Sequence, residues 1–198
     1  GHFNQITKEI SINNTDNDTA GFTVSSLSSS STSEAGATSQ FTVVLKSEPS
    51  SDVLFNIVSD TVSEGTVSPA SLTFKPSNWN TAQTITITGV NDDVDDGNQS
   101  YKVRVSLDQA GTDDSDYSDL NPNLIDLDIT NNDDDTAGFT VSSPTSTSTS
   151  EAGTTSQFNV VLSSQPSDDV VFDITSNKTA EATVSPSNLT FKSNNWNT

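Results

Sequence analysis

The chain has no cysteine and no methionine, which removes disulfides, thiolate metal sites and thiol redox chemistry. Histidine occurs once, and Gly1-His2 reads as the remnant of a cleaved tag, so imidazole has no place in any site. Seven Lys and Arg stand against 27 Asp and Glu, a net charge of −20. With so few cations the chain cannot neutralise a row of phosphates, which excludes nucleic acid and disfavours anionic membranes. No apolar run approaches the roughly 18 residues of a membrane span, and no stretch has the pattern of a signal peptide. Leu, Ile, Val and Phe make up about 23% of the residues, close to the level of about 20% below which a highly charged chain stays disordered. Whether it folds therefore rests on how the apolar residues are arranged.

What is present is a repeat. Asn132-Asp133-Asp134-Asp135-Thr136-Ala137-Gly138-Phe139-Thr140-Val141 repeats Thr15-Asp16-Asn17-Asp18-Thr19-Ala20-Gly21-Phe22-Thr23-Val24, at a spacing of 133 − 16 = 117 residues. Residues 136–198 align with 19–81 without a gap, and about two-thirds of the aligned positions are identical. Such a period predicts tandem modules: residues 1–15 as the last strand of a preceding repeat, 16–135 as one complete module, and 136–198 as a partial second copy. In this reading Ile10-Ser11-Ile12 corresponds to Leu127-Asp128-Ile129.

Within the module the apolar residues alternate with period two and are broken by Ser, Pro, Gly and Asp clusters, the mark of short half-buried strands. Strands are expected at 22–25, 40–46, 53–58, 72–75, 84–88, 101–107 and 124–129, with an edge piece over 65–71. No window has sustained helical periodicity. Seven strands in a hundred-odd residues predict an all-β fold, a tandem antiparallel sandwich of the immunoglobulin-like kind. Trp79, in the Pro76–Asn80 corner, is expected to close one end of the core, and Trp196 holds the same place in the second copy.

The acids gather in loops: Glu34, Glu64, the run Asp92-Asp93-Val94-Asp95-Asp96-Gly97, and Asp133-Asp134-Asp135. Adjacent carboxylates repel one another, so a cation is expected among them. Calcium takes about six to eight oxygen ligands, several anionic, from loops that converge, as the loops at one end of a sandwich do. Asp113, Asp114, Asp116 and Asp119 are read instead as solvated loop charges. No EF-hand spacing is present, because from Asn91 the twelfth residue is Lys102 where a Glu is required.

These residues resemble the Calx-beta family of calcium-binding sandwich modules, over residues 19–135 and, as far as it extends, the second copy. Ser33-Glu34 is similar to the family's Ser-Glu-Gly start. Glu64 stands where the family usually has an Asp before its Leu-Thr-Phe strand, here Leu72-Thr73-Phe74. The Asp92–Gly97 run with Tyr101, and the closing Asp133–Asp135 triplet, resemble the family's acidic run and its end. The resemblance implies calcium ligands at Glu34, Glu64, Asp92, Asp93, Asp96, Asp133 and Asp135. It implies Glu151 and Glu181 in the second copy, and Asp16 and Asp18 as part of a preceding site. Gln99 and Asn98 replace two acids common in the family, which implies fewer or more weakly held ions.

A catalytic reading has little support: the serines lie in low-complexity runs with no base nearby, and acids at a sandwich end are more often ligands than a general acid and base. The expected function is a calcium-rigidified spacer in a long extracellular, cell-surface adhesin, stalk or filament, with neighbouring copies of the repeat as its partners. Two alternatives stand beside it. One is a module that binds a glycan or protein receptor through the 111–122 loop or the Trp79 corner; the other is a calcium-sensing regulatory domain.

Overall fold

The computed structural model describes residues 8–121 and 124–198; Gly1-His2, the start of the expected leading strand, and Pro122 at the end of the expected receptor loop lie outside the described residues. The first module is a two-sheet β-sandwich. Its strands are β1 (Phe22–Val24), β2 (Ser31–Ser33), β3 (Thr38–Leu45), β4 (Val53–Ser59), β5 (Gly65–Ser68), β6 (Ser71–Phe74), β7 (Gln83–Gly89), β8 (Gln99–Leu107) and β9 (Leu124–Asn132), with one helical turn, α1 (Ser115–Ser118), before β9. One sheet runs β1-β3-β7-β5 and the other β2-β9-β8-β4-β6.

The alternation of the sequence builds the core. In β4, Val53, Phe55, Ile57 and Ser59 point inward while Asn56 and Val58 face solvent. Phe41, Val43 and Leu45 of β3 and Ile85 and Ile87 of β7 meet Tyr101, Val103, Val105 and Leu107 of β8 across the interior. Each such side chain contributes about 1.5–3 kcal/mol when fully buried, so a chain poor in apolar residues still folds because most of those in the strands of the first module face one way. Phe55 holds Phe22 and Phe74 edge-to-face, with ring centroids 4.9 and 5.9 Å away. Trp79 packs on the core from its corner, and its carbonyl accepts a hydrogen bond from the Leu45 N–H at 3.2 Å.

Three features depart from the expectation. The described residues of the module form nine strands, against the seven and the edge piece expected: β5 takes the place of the edge piece, and β2 was not foreseen. The added β2 pairs in parallel with β9, so the ladders are not all antiparallel. The 111–122 stretch, expected as an open loop, carries α1, whose Tyr117 is buried in the core. The Tyr117 hydroxyl donates to the Ser47 carbonyl at 2.7 Å, tying the crossover to the β3–β4 turn. Asp114, read as a solvated charge, is buried instead: it caps α1 by accepting from the N–H groups of Asp116 and Tyr117, and it accepts from the Ser50 N–H and hydroxyl at 2.6 and 2.7 Å.

The second copy forms β10 (Phe139–Val141), β11 (Val160–Leu162), β12 (Val170–Asp173) and β13 (Asn188–Phe191). These pair as β10-β11 and β12-β13, in the registers of β1-β3 and β4-β6 shifted by 117. A strand forms wherever the counterpart of its partner lies within the 198 residues. The segments corresponding to β2 and β5 stay irregular, because in the first module they pair with β9 and β7. For the same reason β11 keeps only the part of β3 that pairs with β1. Residues 8–15 pair with no described strand, and Ile10 and Ile12 are exposed.

Candidate metal centre

The parallel pairing of β2 with β9 brings the acids together. Both strands end on the same side of the sandwich, and the Glu34 N–H continues their ladder by donating to the Asn132 carbonyl at 3.0 Å. The chain then turns back through Gly36, whose φ of 90° is a conformation that costs a side chain but not glycine. Glu34 is thereby held over the end of β9, only 7% exposed. The β7–β8 loop supplies Asp92, and the residues after β9 supply Asp133 and Asp135. Carboxylate oxygens of Glu34, Asp92 and Asp135 lie within 4.8 Å of one another.

The electrostatics of this cluster are unfavourable as they stand. Burial, then the charges of Asp92, Asp133 and Asp135, push the Glu34 carboxyl from about 4.5 up to about 7, while a backbone hydrogen bond from Asp134 pulls the other way. Burial and the carboxylates of Asp133, Asp134, Asp93 and Asp92 also raise Asp135. Among the described residues, no Lys or Arg acts on either group. The Oε2 atom of Glu34 is buried without a hydrogen-bond partner, which is costly for a carboxylate unless something positive meets it. Only oxygen donors converge here, the donor set of a hard cation, and the separations suit ligands around an ion at about 2.3–2.6 Å.

The surrounding loop is tied down by its own acids. Asp133 accepts from the Gly97 N–H at 2.7 Å through Oδ2 and from the Asp135 N–H at 2.8 Å through Oδ1. Asp16 and Asp18 repeat that last turn, with Asp18 N–H on Asp16 Oδ1 at 3.0 Å. The β7–β8 loop also reaches the second copy: Asp95 Oδ2 accepts from the Ala137 N–H at 2.7 Å, and the Asp93 carbonyl accepts from the Gln165 N–H at 2.6 Å. One loop thus lines the cluster and contacts the next repeat.

The other expected ligands lie outside the three-carboxylate group. Glu64 is half-buried, with the Ser63 hydroxyl 3.3 Å from its Oε1. Asp96 is exposed, and its carbonyl accepts from Gln99 Nε2. Asp93 acts on Asp135 through its charge rather than as a member of the group. Glu151, Glu181, Asp16 and Asp18 are exposed. Sequence reasoning passed over two buried neutral residues beneath the cluster, Thr32 and Asn131; the one available signal was Asn14, which stands 117 residues before Asn131.

No protein-family model matches the chain. No curated protein matches it. Among solved structures it is similar to SSP-19, an MSP-domain protein-like family member from Caenorhabditis elegans, with 16% identity over 55% of this chain and 97% of that one and a TM-score of 0.35. It is similar to the periplasmic chaperone SfaE, with 9% identity over 58% of this chain and 57% of that one and a TM-score of 0.38. The E. coli chaperone DraB has 9% identity over 62% and 60%, with a TM-score of 0.37. Scores this low carry no argument about function.

Proposed function

We propose that the chain is a calcium-binding structural repeat of an extracellular, cell-surface protein, in which a cation held by Glu34, Asp92 and Asp135 stiffens the joint between successive sandwiches. The observation that carries this reading is the buried, unpartnered Oε2 of Glu34 facing two further carboxylates. A bound divalent cation would neutralise these charges, and backbone carbonyls and water would complete its shell. The contacts of the β7–β8 loop with Ala137 and Gln165 support the mechanical part of the proposal, since a loop fixed by an ion would fix the neighbour it touches. Tandem copies that align without a gap suit a spacer, and the Calx-beta resemblance points to the same ion.

Titrating calcium chloride into the 198-residue chain by calorimetry tests the binding. Binding with a dissociation constant of about 10⁻⁴ M, typical of extracellular modules, is expected for the native chain, and at least a tenfold loss for Glu34→Gln. Small-angle scattering tests the joint: the chain should lengthen and stiffen with calcium. Identical profiles in calcium and in chelator would count against the spacer even if calcium binds.

A further inference from the structure

The three segments that carry the cluster are joined, just below it, by one side chain. Asn131 lies on β9 and is 1% exposed. Its Oδ1 accepts from the Thr32 hydroxyl on β2 at 3.1 Å, and its Nδ2 donates to the Val90 carbonyl at the end of β7 at 2.9 Å. Thr32 and Val90 each precede a cluster acid by two residues, Glu34 and Asp92, and Asn131 precedes the third, Asp135, by four. Thr32 is also 1% exposed, and the Tyr101 hydroxyl lies 3.1 Å from its Oγ1, which locks the rotamer that faces Asn131.

The backbone leaves room for this link. A Cβ at Gly89 would collide with Asn131 Oδ1 and the Ser33 carbonyl, and one at Gly65, its partner across the β5–β7 ladder, would collide with the Tyr101 hydroxyl. An apolar side chain at position 131 would fill the same space but tie nothing together. The buried amide therefore fixes three strand ends relative to one another.

We infer that Asn131, with Thr32, is the positioning residue of the cation site: it holds the ends of β2, β7 and β9 at the spacing that lets Glu34, Asp92 and Asp135 converge. The inference rests on the cation reading above, and it makes Asn131 indirect, acting on the ligands through the backbone without touching the ion. Partners that hydrogen-bond metal ligands directly typically change affinity about 10–100-fold when removed, and a link through the backbone is expected at the lower end, about tenfold.

Calcium chloride titration of native protein, Asn131→Ala, Thr32→Val and Thr32→Ser, each well below its unfolding midpoint, tests the idea. Asn131→Ala and Thr32→Val are expected to bind calcium about tenfold or more weakly while remaining folded by circular dichroism. Thr32→Ser, which keeps the hydroxyl, should bind like the native chain. A folded Asn131→Ala or Thr32→Val with native affinity would overturn the assignment, because a purely structural role would lower the midpoint and leave affinity alone. Amide hydrogen exchange in chelator supplies a reading that needs no ion. The N–H groups of Glu34, Val94 and Asp135 should exchange faster in Thr32→Val than the rest of the sandwich, and a uniform change over all strands would contradict the link. If the native chain itself takes up no calcium, the cation reading fails, and the exchange pattern alone decides whether Asn131 sets the spacing of the strand ends.

Discussion

At the scale of single residues, Glu34 and Asp114 are two buried acids with opposite fates. Burial raises both, but Asp114 receives hydrogen bonds from the Ser50 hydroxyl and N–H and from the N–H groups of Tyr117 and Asp116, which together hold it below its ordinary value. Glu34 has mostly carboxylates for company and titrates near about 7. The folded state holds the Glu34 proton between about 4.5 and about 7 while the unfolded chain has already released it, so folding is favoured at the acidic end of that window. Without calcium, stability from this group should fall as pH rises through the window and level off above it. Calcium, binding the ionised form, should stabilise most above about pH 7 and little near pH 4.5. Chelator-treated Glu34→Gln should lose that slope; urea melts at several pH values would read it, and an unchanged slope would mean that Glu34 is not the group responsible. Asp114 works in the other direction, its contribution present at neutral pH and lost as pH falls through its depressed value.

Among the elements, α1 and the segment before it have the clearest mechanical role. Asp114 caps the turn and fastens it to Ser50, and Tyr117 drives the crossover into the core and bonds Ser47. Asp114→Ala should destabilise the first module by about 2–4 kcal/mol, because it strips a cap and leaves the Ser50 donors without their acceptor. Denaturant unfolding measures this, and a loss below about 0.5 kcal/mol would show the cap to be idle. This element was hidden in the sequence, since one capped turn has no periodicity and Asp114 sits among acids that look alike. Strand β2 was hidden for a related reason: Ser31-Thr32-Ser33 has no apolar residue, and its only ladder is to β9, almost a hundred residues away. By contrast β3, β4, β7 and β8 were legible from alternation, because burial on one face imposes it. The acids of the cluster were legible too, through their loops and the family resemblance. Their spatial selection was not, because loop sequence does not say that Glu34, Asp92 and Asp135 converge while Glu64 and Asp96 stand outside the group. Thr32 and Asn131 are neutral and buried, so nothing in their type marked them.

For the whole molecule the charge balance is the governing fact. Four of the seven cations, Lys75, Lys102, Arg104 and Lys192, are spent on exposed pairs with Asp52, Asp128, Asp126 and Asp169, and such pairs add little stability. The acidic end of the first sandwich, from which Asp93 and Asp95 reach the second copy, has among the described residues no cation of its own acting on Glu34 or Asp135. An ion there would join fold stability to joint geometry, since the same loop serves both. Thermal unfolding of the 198-residue chain at pH 8, in 10 mM calcium chloride and then in chelator, tests that most directly. At a dissociation constant of about 10⁻⁴ M the ion stabilises the folded state by about 2.7 kcal/mol, which should raise the midpoint of the first module by about 10 °C. The rise should vanish in Glu34→Gln. An equal midpoint with and without calcium in the native chain would contradict the account.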